Sequence, residues 1–254
     1  MPELPEAETV RRVLEERLVG KKVLEVEVGR PTFYRSPETA GLLGATVTAV
    51  RRRGKYLLLV LDGRRELVLH LGMSGRLVIG EPGPHTRFRF AVEGCSVAFH
   101  DARRFGRVGC ALPPLGPEPL EAEFDEAYLW KALRGRKASI KALIMDQRLV
   151  AGLGNIYASE ALYLAGIRPA RAGGALKRDE VRRLVAAIKD VLALAVRLRG
   201  STLEDTAYLD PLGRSGGFQE KANVYGRKTC RRGHPLKTKV IAGRTTRWCP
   251  ACQR

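Results

Sequence analysis

The chain has 254 residues with 44% apolar content, enough to bury one large or two smaller cores. Forty-five Lys and Arg against 27 Asp and Glu give a net charge of +18, which argues for a polyanionic partner. No run of about 18 apolar residues occurs and the N-terminus carries no basic-then-apolar leader, so a membrane span and a secretory signal are not expected and a cytoplasmic location is.

The first ten residues, MPELPEAETV, open a helix. Proline suits the first helical turn and acids complement the positive end of its dipole. Val10, Val13, Leu14 and Leu18 continue at helical spacing up to Gly20. A second reading is chemical. With Met1 removed, as a small following residue permits, Pro2 becomes a secondary amine that titrates near neutrality and can attack an electrophilic carbon to leave an iminium. Glu3 and Glu6 are then the adjacent acid/base candidates.

From the first helix to about residue 112 the chain reads as strands. KYLLLVLDGRRELVLHL is two apolar runs around Asp62-Gly63, and RFRFAVEGCSVAFH alternates around Glu93-Gly94, both hairpin signals. Several short antiparallel strands predict a sandwich or barrel-like β domain, residues 1–112 with the leading helix. Residues 113–121, rich in proline, read as a linker. The pattern then turns helical, most clearly over KRDEVRRLVAAIKDVLALAVRLRG, where Val181, Leu184, Val185, Ile188, Val191, Leu192 and Ala195 form one stripe. STLEDTAYLDPLGRSGGFQE (201–220) has little periodicity and reads as a mobile functional loop. The fold class is therefore α+β.

Charge is unevenly distributed. Residues 221–254 hold ten Lys or Arg and no acid, whereas 115–128 hold five acids and no base. Because the basic residues are spread over strand, loop and tail segments, nucleic acid fits better than a membrane surface. Within that tail, Cys230, His234, Cys249 and Cys252 fall as C-x3-H, fourteen residues, then C-x2-C, a spacing suited to one tetrahedral zinc with KTKVIAGRTTRW as the intervening β-hairpin. Four protein ligands leave no open position, so this zinc would be structural. Cys95 and Cys110 lie in apolar contexts and read as buried thiols.

The opening MPELPEAE, RRGKYLLL (52–59), HLGMSGRL (70–77), HDARRFGR (100–107), DQRLVAGLGNIYASEAL (146–162), GGFQ with VYGR, and the terminal cysteine hairpin stand in the order found in the formamidopyrimidine-DNA glycosylase and endonuclease VIII family. The chain resembles that family over its whole length, and MPELPE is more similar to the formamidopyrimidine branch. The resemblance implies a β-sandwich (1–112), a linker (113–121), a helix-two-turn-helix domain with a lesion-covering loop (122–220) and a zinc finger (221–254). It implies a monomer acting on double-stranded DNA with oxidised bases or abasic sites, excising oxidised purines and then nicking the strand. An endonuclease VIII-like preference for oxidised pyrimidines, or damaged-DNA binding without catalysis, are the alternatives.

By the same resemblance Pro2 is the Schiff-base nucleophile, Glu3 the proton donor for sugar-ring opening, Lys55 the group serving β-elimination and Arg244 the one serving δ-elimination. Glu160 matches a glutamate near the active site. Met73, Arg103 and Phe105 match the side chains that fill the gap left by a flipped base. Asn155, His85, Arg136, Lys137 and Lys141 match contacts to the DNA backbone. Three departures stand out: His234 replaces a cysteine, Ala102 replaces a proline, and residues 201–220 diverge.

Overall fold

In a computed structural model, residues 2–29, 37–202 and 208–254 are described. They form two compact units: Met1–Pro113 with Arg199–Gly216, and Pro114–Leu198 with Gly217–Arg254. The 201–220 stretch is thus divided at residue 216, and its residues 203–207 lie outside the described residues.

The first unit begins with α1 (Leu4–Leu18) and continues through β1 (Val23–Val28), the short α2 (Pro37–Ala40), β2 (Val47–Arg53), β3 (Tyr56–Leu61), β4 (Glu66–His70), β5 (Arg76–Ile79), β6 (Thr86–Val92), β7 (Cys95–His100) and β8 (Arg107–Val108). Two four-stranded sheets, β1-β6-β7-β5 and β2-β3-β4-β8, share one core. Leu57, Leu59, Leu67 and Leu69 come from one sheet and Phe88, Phe90, Val97 and Phe99 from the other, and Val10, Leu14 and Leu18 of α1 join them. Both predicted hairpins form, β3 with β4 and β6 with β7. Cys95 is buried as expected, whereas Cys110 is half-buried because it follows the short edge strand β8; both are free thiols.

An ion-pair cluster fastens α1 to the sheet. The Glu8 carboxylate receives Arg11 (3.0 Å), Arg12 (3.0 Å) and, from β2, Arg52 (3.1 Å). Burial pushes the Glu8 carboxyl up, but the hydrogen bonds and charges of Arg11, Arg12 and Arg52 hold it below the ordinary 4.5. A carboxylate with a lowered folded pKa contributes stability above its unfolded value and loses it as pH falls through the folded one. Glu8→Gln should therefore destabilise the fold by about 1–2 kcal/mol at pH 7, allowing for solvent screening. In urea melts the deficit should be largest at neutral pH and shrink below about pH 4.5.

The second unit contains α3 (Glu126–Leu133), α4 (Ile140–Met145), α5 (Asn155–Leu164), α6 (Arg178–Arg197) and a C-terminal hairpin, β9 (Lys237–Ile241) with β10 (Arg244–Trp248). Asp125 and Ser139 cap α3 and α4 through Tyr128 N–H and Ala142 N–H. The apolar stripe read in α6 is buried in full. No helix among the described residues is long and apolar enough to cross a membrane.

Candidate active site and nucleic-acid surface

Pro2 is half-buried and lies just ahead of α1, whose N-cap is Glu3; Met1 lies outside the described residues. Glu3 and Glu6 are both buried. The Glu3 backbone N–H donates to Glu6 Oε2 (2.8 Å), one arm of a capping box. Glu6 Oε1 accepts the backbone N–H of Ser201 (2.8 Å), and Tyr208 Oη donates to the Glu6 carbonyl (3.3 Å). Gly200, at φ +79°, is required here, because a Cβ would stand 2.5 Å from Glu6 Oε1. The Glu6 carboxylate is thus a clamp between the N-terminal residues and the 199–216 segment, a different position from the acid/base one expected of it.

The described residues of that segment are themselves braced. Thr202 Oγ1 donates to the Tyr208 carbonyl (2.6 Å) and accepts from Gly216 N–H (2.9 Å). Asp210 accepts from Leu212 N–H, Arg214 N–H and Arg214 Nε, and Ile79 N–H of β5 donates to the Pro211 carbonyl. Residues 208–216 are therefore an organised turn on the sandwich, contrary to the mobile loop expected of this part.

Lys55 sits with Gly54 in the two-residue turn between β2 and β3 and is buried. Arg52 supports the turn: its Nη1 donates to the Gly54 carbonyl (3.0 Å) while its Nε holds Glu8 of α1. His70, which sequence reasoning passed over within its own motif, is the neighbour of this cation. Burial first, then the charges of Lys55 and Arg107, lower it to about 4, so the ring is neutral near pH 7. Gly72 N–H donates to His70 Nδ1 (3.3 Å), which leaves the proton on Nε2 as an available donor.

Met73, Arg103 and Phe105 are drawn together by Asp101, another residue not singled out from sequence. Its buried carboxylate accepts Ser74 Oγ (2.7 Å), Arg104 N–H (3.0 Å) and Gly106 N–H (2.6 Å), which joins the Met73 turn to the 101–106 loop. Gly72 makes the approach possible: a Cβ there would fall 2.4 Å from the Phe105 backbone. Phe105 is 48% exposed, and the Arg103 guanidinium lies over its ring at 4.8 Å. Exposed His85 borders the same group, its carbonyl accepting Asp101 N–H (2.9 Å). An exposed aromatic with a cationic and a polarizable arm, on two loops tied by Asp101, is suited to stacking on nucleobases. Ala102 is an exposed loop residue.

In the second unit Arg244 is exposed at the start of β10, and Arg136 and Lys137 are exposed between α3 and α4. Asn155 opens α5 and is half-buried. One expectation changes. Lys141, expected at the DNA backbone, is fully buried, on the apolar face of the short helix IKALIM. Glu160, matched by resemblance to a glutamate near the active site, stands in the second turn of α5 with its carboxylate inside the unit. It accepts Asn223 N–H (2.6 Å), Asn223 Nδ2 (2.9 Å), Val224 N–H (2.9 Å) and Tyr225 N–H (2.8 Å). It anchors the chain entering the cysteine hairpin.

Cys230, His234, Cys249 and Cys252 converge, with their donor atoms all within 4.8 Å of one another. His234 Nδ1 lies 3.6, 3.7 and 3.3 Å from the three sulfurs. Bonds of about 2.0–2.3 Å to one tetrahedral ion give donor separations of roughly 3.5–3.8 Å. The cluster therefore fits a metal ion. Burial raises the Cys230 thiol, but backbone N–H groups of His234 and Arg232 and the Tyr163 hydroxyl bring it down to about 6, favouring the thiolate a metal needs.

A basic chain with a proline at its first helix start, an exposed Arg103–Phe105 pair and a Cys3His hairpin has the make-up of a DNA-repair enzyme of the glycosylase class. The comparisons specify it. The model of the formamidopyrimidine-DNA glycosylase N-terminal domain matches residues 1–108 and that of the H2TH domain of the same enzymes matches residues 115–207. A formamidopyrimidine-DNA glycosylase of Thermus thermophilus is 45% identical over 100% of this chain and 98% of its own, and one of Carboxydothermus hydrogenoformans is 39% identical over the full length of both. The crystal structure of the MutM (Fpg) protein from Thermus thermophilus covers 99% of this chain and 98% of its own at a TM-score of 0.92 and 45% identity. A mutant Lactococcus lactis FPG in complex with Fapy-dG-containing DNA matches over 100% of both chains at a TM-score of 0.91 and 33% identity. The chain belongs to the formamidopyrimidine-DNA glycosylase family.

Proposed function

We propose that this member of the family excises oxidised purines, 8-oxoguanine and formamidopyrimidines, from double-stranded DNA and cleaves the abasic product, with Pro2 as nucleophile. The chain's relatives are glycosylases by name, and one was solved on Fapy-dG DNA and another on abasic-site DNA. The observation that carries the reading is the N-terminus: a half-buried proline immediately before a helix whose cap is two buried glutamates.

Freed of Met1, the Pro2 nitrogen attacks C1′ of the lesion nucleotide, the bond from C1′ to the base breaks, and the base departs with the electron pair and takes up a proton while the Pro2 nitrogen gives up its own. Glu3 protonates the ring oxygen as the sugar opens, leaving an iminium between Pro2 and C1′. That cation is an electron sink: loss of a C2′ proton expels the 3′ phosphate in a step served by Lys55, and a second elimination served by Arg244 expels the 5′ phosphate. Glu6 and Glu160 act by position, the first holding the nucleophile's helix start and the second holding the hairpin's approach. Met73, Arg103 and Phe105 fill the stack behind the flipped base. Asn155, Arg244, His85, Arg136 and Lys137 contact phosphates, and His70 Nε2–H is a further donor beside Lys55. Cys230, His234, Cys249 and Cys252 would hold one zinc ion, whose contribution would be structural rather than catalytic. The protein acts as a monomer in the cytoplasm.

Borohydride trapping on duplexes carrying 8-oxoguanine, formamidopyrimidine, thymine glycol or an abasic site tests this. The expected result is a covalent adduct and strand incision with the purine lesions and the abasic site. Preference for thymine glycol would move the enzyme to an oxidised-pyrimidine specificity. Tight binding of every duplex with no adduct on any would reduce it to a damage-binding protein.

A further inference from the structure

Lys141 has the wrong location for the contact expected of it and a set of partners suited to another task. Its ammonium, fully buried, donates to Asn155 Oδ1 (2.6 Å), Ser159 Oγ (2.9 Å) and Thr246 Oγ1 (2.8 Å). These acceptors belong to α5 and to β10, so a residue of α4 joins three elements at one atom. An ammonium has only protons to offer, so it dictates which face of the asparagine amide turns toward it: Oδ1 inward, Nδ2 outward. Asn155 Nδ2 in turn stands 3.4 Å from the Thr245 carbonyl, a long bond that leaves its protons available to an outside acceptor. Thr246 Oγ1, its lone pair taken by Lys141, donates to the Arg244 carbonyl (3.1 Å).

We propose that Lys141 is a positioning residue for phosphate binding, fixing the donor face of Asn155 and the backbone of Arg244 from a single buried cation. The inference rests on the reading of Asn155 and Arg244 as phosphate contacts. It makes the two contacts one device: loss of the ammonium frees the Asn155 amide to rotate and unties β10 from α5. A lysine that touched phosphate directly would behave otherwise, since each neutralised phosphate adds about one to the slope of log affinity against log salt.

The test is binding of the zinc-loaded full chain to a duplex with a reduced abasic-site analogue, by fluorescence anisotropy over a range of salt. Lys141→Met and Asn155→Ala should each weaken binding about tenfold, the scale of one charge-assisted hydrogen bond. The double variant should be no weaker than the weaker single, and the salt slope of Lys141→Met should equal that of the unaltered chain. An additive double loss with a slope lower by about one would overturn the proposal in favour of direct contact. Normal binding by Asn155→Ala would instead remove the phosphate reading on which it stands. Should Lys141→Met fail to fold, Ser159→Ala and Thr246→Val each delete one acceptor. Ser159→Ala is expected to weaken binding when Asn155 is present and to have no effect in the Asn155→Ala background, whereas Thr246→Val, which also unties Arg244, is expected to weaken binding in both backgrounds; unchanged binding by both variants with Asn155 present would also overturn it.

Discussion

Extending the chain by a few residues ahead of Pro2, so that its nitrogen becomes an amide, should abolish borohydride trapping and lower strand incision by about 10³-fold or more. An amide nitrogen has given its lone pair to the carbonyl and cannot form an iminium. Folding should survive, because α1 is held by other means: Glu8 on Arg52, Glu6 on Ser201, and Val10, Leu14 and Leu18 in the sandwich core. Affinity for an abasic analogue should change far less than incision, which separates loss of chemistry from loss of binding. Intact-mass measurement of the unextended protein should show Met1 absent. An extended chain that still traps and incises at the original rate would exclude Pro2 as the nucleophile. Pro2→Ala is the milder companion, since it keeps an N-terminal amine of altered basicity and should retain part of the adduct.

Removing the metal should have an effect of similar size on DNA binding. Binding of a structural zinc supplies roughly 10–16 kcal/mol in small finger domains at neutral pH, far more than a hairpin of two five-residue strands can replace. Only a few apolar side chains accompany the ligands, among them Val224, Leu236 and Tyr163. Chelation should therefore melt residues 223–254 locally and lower affinity for abasic-analogue DNA by about 100-fold or more, through loss of Arg244 and its basic surroundings. The sandwich should keep its unfolding transition. Zn2+ should restore binding at pH 7.5, less readily below about pH 6, where Cys230 becomes protonated. His234→Cys should retain the metal, whereas His234→Ala should lose it; full DNA affinity in a metal-free sample would contradict the structural role.

The features legible in the sequence share one property: their information is local. The amphipathic stripe of α6, the two hairpins and the C-x3-H and C-x2-C pairs each lie within a few residues or one turn, so spacing alone places their side chains on a common face or around a common point. The proline and glutamates at the start of α1 were readable for the same reason. What escaped was the work of the buried polar groups. Glu6 acts on Ser201, 195 residues away; Lys141 acts on Thr246, 105 away; Glu160 acts on Val224, 64 away. By itself the sequence determined the two hairpins, the stripe of α6, the Cys3His set and a basic chain with a proline at the start of its first helix. Only the tertiary structure decided that Glu6, Glu160 and Lys141 are interior supports and that Asp101 gathers the stacking loop. A buried charge must be satisfied wherever a partner can be found, and the partner is chosen by how the chain returns in space, which spacing along it does not record.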